Sequence, residues 1–364
     1  MCVVNNFSSL DLSQNIHLQT LNCRVQSLDI SKNVELMSLT CTSAGLTTLD
    51  LSHNVQLKKL VCNDNQLVQL DLSHNTALEG VNCKNNNLTS LIVRSVSVLD
   101  CSNNALTALD LSETSGLTEL SCSNNQLVDL NIATQSLLRV LVCNSNQLTE
   151  LDLSGCPSLE QLACFDNRLA RMDLTGCVAL LQLSCHTNEL ENLVIPSPVL
   201  THLVCYGNRL TDLAFNKSRL VQLHCSNNRL LSLDVSSVSS MVELNCHDNL
   251  LTSLSMENNP SLKNAYCYGN QLSSLNLSGC SALTEFVAKD NQLTEITFTG
   301  CSALMICSLK NNLLTSVDLT PATKLLSLDC SENPLETLYL STRVKENSYS
   351  LFLTAPDGTE VIYQ

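Results

Sequence analysis

Apolar positions recur along the chain in two nested periods. Leu57–Ala77 (LKKLVCNDNQLVQLDLSHNTA) shows both. Its LxC triplet alternates apolar and polar residues, the pattern of a short strand with one buried face. The LDL triplet repeats that alternation further on, which predicts a second short strand or extended turn on the opposite side. The whole block then returns. Cys41, Cys62 and Cys83 are 21 residues apart, and so are Cys101, Cys122, Cys143, Cys164 and Cys185. Sixteen copies of LxxLxCxxNxLxxLDLSxNxx begin at positions from Leu18 to Leu325. Most have 21 residues; those at Leu18 and Leu78 have 18, and those at Leu180 and Leu200 have 20. In-phase copies of this kind stack into a solenoid with one continuous core. The 364 residues would otherwise suit two or three ordinary domains. The expected organisation is a partial first repeat over 1–17, an array over 18–340 and a cap over 341–364. Within the cap, Ser348–Gln364 has two alternating apolar runs around Pro356-Asp357-Gly358, a β-hairpin signal.

The repeat frame explains the 20 cysteines. Fifteen hold the inward position of the first strand: Cys2, Cys23, Cys41, Cys62, Cys83, Cys101, Cys122, Cys143, Cys164, Cys185, Cys205, Cys225, Cys246, Cys267 and Cys330. Ala288 and Leu309 stand there in two other copies, so the position wants a small or medium hydrophobe, as buried free Cys is. Side chains in register on strands about 4.8 Å apart point the same way, with Cβ atoms beyond the usual disulfide reach of about 3.5–4.5 Å. The column is therefore read as reduced. Zinc would call for paired ligands such as CxxC, and there are none. Three residues after each ladder Cys comes an Asn (Asn65, Asn86, Asn104, Asn125, Asn146, Asn167, Asn188), placed to satisfy backbone groups where the chain turns. Gln26 and Ala44 break this column. Cys156, Cys177, Cys280 and Cys301 replace the Asn of SxN on the other side, where packing is expected.

The Cys in the LxC position, followed by LDLS and SxN, resembles the cysteine-ladder leucine-rich repeats of the listerial internalin J family and of related bacterial and protist surface proteins. The resemblance covers nearly the whole chain. It implies a leucine-rich-repeat solenoid, a horseshoe that is mostly β with little helix and has a parallel sheet on its concave face. It also implies a secreted or cell-surface recognition module, adhesive or host-binding. The chain shows no leader of its own, no helical N-terminal cap and no LPxTG. Met1-Cys2 falls inside a repeat, so a fragment of a longer protein is expected.

Charge narrows the partners. With 19 Lys and Arg against 34 Asp and Glu, the net charge is −15. Nucleic acid and anionic membrane surfaces call for clustered cations instead. No apolar run reaches the roughly 18 residues of a membrane span. GxGxxG, P-loop, GxSxG and HExxH are all missing, so no enzyme and no cofactor is expected. The expectation is a monomer that binds a protein, with a host surface protein or a glycan among the candidates. The alternative is the recognition part of a larger secreted effector or enzyme.

Aromatic residues then point to a site. The chain has 12 Phe and Tyr, no Trp, and seven His. Eight of these fall on outward strand positions of six consecutive copies: Phe165, His186, His202, Tyr206, His224, His247, Tyr266 and Tyr268. The same positions in early turns carry small polar groups such as Asn22, Thr40, Asn82 and Ser121, and in late turns Lys289, Ser308 and Lys310. Rigidly held Tyr and His offer large contact area with little entropy to lose, the make-up of a binding hot spot. Strand surfaces favour aromatics in any case, which is the competing explanation. His186, His202, His224 and His247 come from successive turns, and no carboxylate is expected to join them. Partner affinity that depends on pH is expected over a metal site.

Overall fold

The computed structural model describes the backbone of residues 7–346 and 351–364 and the side chains of residues 9–346 and 351–364. Cys2 and the sequence expectations resting on it lie outside the described residues. The protein is a parallel β-solenoid of about 17 turns with almost no helix. It divides into two compact units, Met1–Leu180 and Leu181–Gln364.

In the first unit the LxC triplets form an in-register parallel ladder: Thr20–Asn22, Ser38–Thr40, Lys59–Val61, Gly80–Asn82, Val98–Asp100, Glu119–Ser121, Val140–Val142 and Gln161–Ala163. In the second they form another, from Gln182–Ser184 through His202–Val204, Gln222–His224, Glu243–Asn245, Asn264–Tyr266, Glu285–Val287, Ile306–Ser308 and Ser327–Asp329 to Phe352–Thr354. Each strand is short because three residues suffice to present one Leu inward and two side chains outward. The LDL triplets pair more sparingly on the other side, as Gln69–Asp71 with Ser90–Ile92 and Asn192–Ile195 with Asp212–Phe215. There the Asp caps the following turn. Asp50 Oδ1 accepts the Ser52 N–H at 2.9 Å, and this bond holds the exposed carboxyl below its ordinary pKa.

The two columns have distinct work. Every ladder Cys from Cys41 to Cys267 is completely buried, and every described Cys is a free thiol. Burial raises these thiols: Cys62, Cys122, Cys164, Cys225 and Cys267 are pushed up to about 12. The Asn column ties turn to turn. Asn65 Nδ2 donates to the carbonyls of Cys41 at 2.8 Å and Cys62 at 2.9 Å, while its Oδ1 accepts the N–H groups of Ala44 and Leu46 at 3.0 Å. One amide thus satisfies four backbone groups that no strand could reach. The chain turns between Cys and Asn through a left-handed residue, such as Asp64, Asn124 or Asp248, with φ of 52–57°.

Two sequence expectations change. The convex-side cysteines do more than pack. Cys156, Cys280 and Cys301 donate Sγ–H to carbonyls one turn back at 3.3–3.5 Å, the bond that Asn54 Nδ2 makes to Ile30. The C-terminal segment is also not a hairpin. Phe352–Thr354 pairs in parallel with Ser327–Asp329, and Glu360–Tyr363 pairs in parallel with Thr337–Leu340. The Asp357-Gly358 corner, with Gly358 at φ 88°, carries the chain from one side of the solenoid to the other. Residues 351–364 thus form one more turn. Part of the predicted hairpin, Ser348–Ser350, lies outside the described residues. The helix Thr342–Glu346 precedes this turn, with Val344 buried beneath it.

Candidate functional site

Three outward columns run along each ladder, because the strand residues on either side of the inward Leu, and the residue after the Cys, all face away from the core. In Leu181–Gln364 the third column reads His186, Tyr206, Ser226, His247, Tyr268 and Lys289. His186 stacks on Tyr206 with ring centroids 4.3 Å apart and planes 8° from parallel. His247 stacks on Tyr268 at 4.3 Å and 7°. Strand spacing of about 4.8 Å imposes this geometry, since flat side chains in register on adjacent turns meet face to face. Lys289 Nζ then lies 5.2 Å from the Tyr268 ring centre.

The second column holds His224 and Tyr266, and the first holds His202. His224 Nε2 is 3.0 Å from Glu243 Oε1 and 3.1 Å from Gln222 Nε2, and the Gln222 amide donates to Glu243 Oε2 at 3.2 Å. Tyr266 donates its hydroxyl to Glu285. Burial, then the charge of Glu285, pushes its pKa up to about 12, so it stays a neutral donor. His202 Nδ1 lies 2.9 Å from Thr201 Oγ1. Phe165 is half-buried in the first unit, on the turn of Gln161–Ala163. Seven of the eight predicted residues therefore share the outer face of the second unit's ladder.

Carboxylates do join the histidines, contrary to the sequence expectation. Glu243 pairs with His224, and Asp248 Oδ2 lies 2.8 Å from His247 Nδ1. Glu243 lies on the first outward column, one turn from His224, a neighbour visible only once the register is known. Asp248 reaches His247 because Gly269 leaves room. A Cβ at Gly269 would meet Asp248 Oδ1 at 2.3 Å, and its φ of 64° also suits glycine. Among the described residues no three His, Cys, Asp or Glu side chains converge as a metal site would need.

The sequence reading also missed two features. Phe352, 72% exposed, puts an aromatic ring on the outward face of the last turn, a position that the expected hairpin does not give it. The face of the first unit is also less polar than expected. Val61, Val98, Val140 and Val142, with Lys59 and Asp100, line an open trough of about 920 Å³. These valines flank the inward Leu in the KLV, VLD and VLV triplets, so the alternation that marked the strands also marked the trough.

No protein-family model matches the chain, and no curated protein matches it. Solved structures do. The functional domain of InlJ from Listeria monocytogenes, described as including a cysteine ladder, is 26% identical, with a TM-score of 0.60 over 94% of this chain and 68% of its own. A leucine-rich-repeat protein of Leptospira interrogans is 20% identical, with a TM-score of 0.65 over 97% of this chain and 92% of its own. The plant peptide hormone receptor RGFR1, solved in complex with RGF2, is 17% identical, with a TM-score of 0.61 over 95% of this chain and 76% of its own. No helix among the described residues is long and apolar enough to cross a membrane. Repeat, buried thiol column and Asn column together give the conclusion that the protein has the fold of a leucine-rich-repeat solenoid built on a cysteine ladder.

Proposed function

We propose that the protein is a non-catalytic recognition module that binds a protein partner, as a monomer, across the outer ladder face of Leu181–Gln364. The stacked rings support this reading best. His186 on Tyr206 and His247 on Tyr268 are held in place by packing before any partner arrives, so little rotamer entropy is left to lose on binding. Around them Glu243, Glu285, Lys289 and Gln222 provide a polar rim. The glycan alternative is less favoured, because each of the four stacked rings already spends one face on its neighbour. Following the internalin-type resemblance, the finer reading is adhesion or host binding by a secreted or surface-attached chain. The recognition part of a larger effector remains the second arrangement, because a solenoid face serves either.

The test is affinity capture from the source's surroundings with the native protein and with a Tyr206→Ala, Tyr266→Ala, Tyr268→Ala variant. Circular dichroism should be unchanged and capture of the partner should fall. Retained capture by this variant, with loss on changing Lys58 and Lys59, would overturn the proposal.

A further inference from the structure

The apolar trough of the first unit carries two charges that nothing in the fold uses. Its first outward column reads Lys59, Gly80, Val98, Glu119 and Val140 over five successive turns. A Cβ built on Gly80 meets no atom within 4 Å, so the floor is open there. Val61 on the turn before and Val98 on the turn after line the same trough, and Val98 is 40% exposed. The neighbouring charges are already paired. Lys58 faces Glu79 at 3.6 Å and Lys84 faces Asp100 at 4.0 Å. Arg139 donates twice to Glu160, at 3.0 and 2.9 Å. Lys59 and Glu119 are both exposed. Among the described residues neither of them has an ion pair or a side-chain hydrogen bond.

Three strand spacings of about 4.8 Å place Lys59 and Glu119 about 14 Å apart along this column. Four residues of extended chain cover about 13 Å, and alternate side chains point the same way. The geometry points to a second binding site, independent of the face of Leu181–Gln364, that takes an extended peptide segment laid across these strands. The segment carries an acidic and a basic side chain four residues apart, in either order, with an apolar one midway. The acid meets Lys59 and the base meets Glu119. The apolar side chain, about 7 Å along from each, comes down between Gly80 and Val98. A helix would bring side chains four residues apart only about 6 Å along its axis, and so would reach one charge alone. A polyanion would be repelled by Glu119 and by the net charge of −15. The peptide is a separate ligand from the partner of the stacked-ring face, and neither site rests on the other.

The experiment titrates the full chain with labelled nonapeptides whose central five residues are Asp-Ser-Leu-Ser-Lys, Asp-Ser-Leu-Ser-Asp, Lys-Ser-Leu-Ser-Lys or Asp-Ser-Ser-Ser-Lys. The ionic strength is about 0.01 M, where exposed charges are little screened. Fluorescence anisotropy should show the first peptide binding at least about fivefold tighter than each of the others. Lys59→Glu should move the preference to the Lys-Ser-Leu-Ser-Lys peptide, a gain that a misfolded chain could not produce. Gly80→Leu fills the recess at a backbone outside the left-handed region, and should abolish the advantage of Leu over Ser. Equal affinities, no measurable binding of the first peptide, or a preference unchanged by Lys59→Glu or by Gly80→Leu would each overturn the site. So would loss of the first peptide from the Tyr206→Ala, Tyr266→Ala, Tyr268→Ala variant, which would place the peptide on the other face. Capture of the natural partner separates the two readings. If the tyrosine variant keeps both the partner and the peptide preference, the recognition face fails and the trough stands. If it loses the partner and keeps the peptide preference, both stand.

Discussion

Raising the pH should unfold this protein by ionising its cysteines, at a pH where most soluble domains are intact. Each ladder thiol is neutral in the core and, once unfolded, ionises with a pKa near the ordinary 9.0. Burial raises the folded-state pKa, so the native chain holds more protons than the unfolded chain above pH 9. Stability is complete below that pH and falls as pH climbs toward the folded value. For the ladder thiols Cys62, Cys122, Cys164, Cys225 and Cys267, and for Cys301 on the opposite side, that value is about 12. At pH 10 each such thiol costs about 1 kcal/mol. Six of them together cost several kcal/mol, comparable with the whole stability of an ordinary domain, about 5–15 kcal/mol. Cys83, Cys101, Cys143, Cys205 and Cys246 are raised in the same direction and add to it. Far-UV circular dichroism under reducing conditions should therefore show a steep loss of structure between pH 9 and 10.5, with thiolate absorbance rising in the same step. Ala288 fills a ladder position in the native chain. Replacing Cys225, Cys246 and Cys267 by Ala should accordingly lower stability at pH 7 yet flatten the alkaline slope. Thiolate absorbance that rises while the fold persists, or a slope unaffected by the three substitutions, would refute the reasoning.

Other outcomes follow from single residues. Asn228→Ala removes an amide that donates to the Cys205 and Cys225 carbonyls at 3.1 Å and accepts the Leu210 N–H at 3.0 Å, so urea titration should show a loss of about 2–4 kcal/mol. Phe286→Ala leaves a cavity beside Phe298, whose ring centre is 6.0 Å away, and should cost about 3–5 kcal/mol by the same measurement. Gly269→Ala should cost about 1–3 kcal/mol for its left-handed φ, and should shift the His247 ring resonances in NMR by displacing Asp248.

Most of the scaffold was written in local patterns. The 21-residue phase placed the inward Leu, Cys and Asn on most turns, because each turn meets only its neighbours and the same contacts recur. The second strand in LDL and the reduced state of the thiols followed from alternation and from strand spacing. The C-terminal turn was misread because Asp-Gly between two alternating runs promotes a sharp reversal in isolation. Here each run finds a parallel partner, Ser327–Asp329 or Thr337–Leu340, that a local reading does not weigh. At the site, the residues were legible but their pairing was not. His224 meets Glu243 from a different column of the next turn, and that contact depends on register and side-chain direction together. The left-handed residue after each outward ring position could have been read from its Asn, Asp, Ser and Gly content (Asn124, Asp248, Ser145, Gly207).

The recognition claim is tested most directly by asking which face touches the partner. Benzoylphenylalanine would be placed singly at Val204, between the His202 and Tyr206 positions, at Val194 on the opposite side of the same unit, and at Val98 in the first unit's trough. After irradiation with the captured partner, the Val204 variant should yield the cross-linked adduct and the other two should not. An adduct from Val194 or Val98 with none from Val204 would contradict the account.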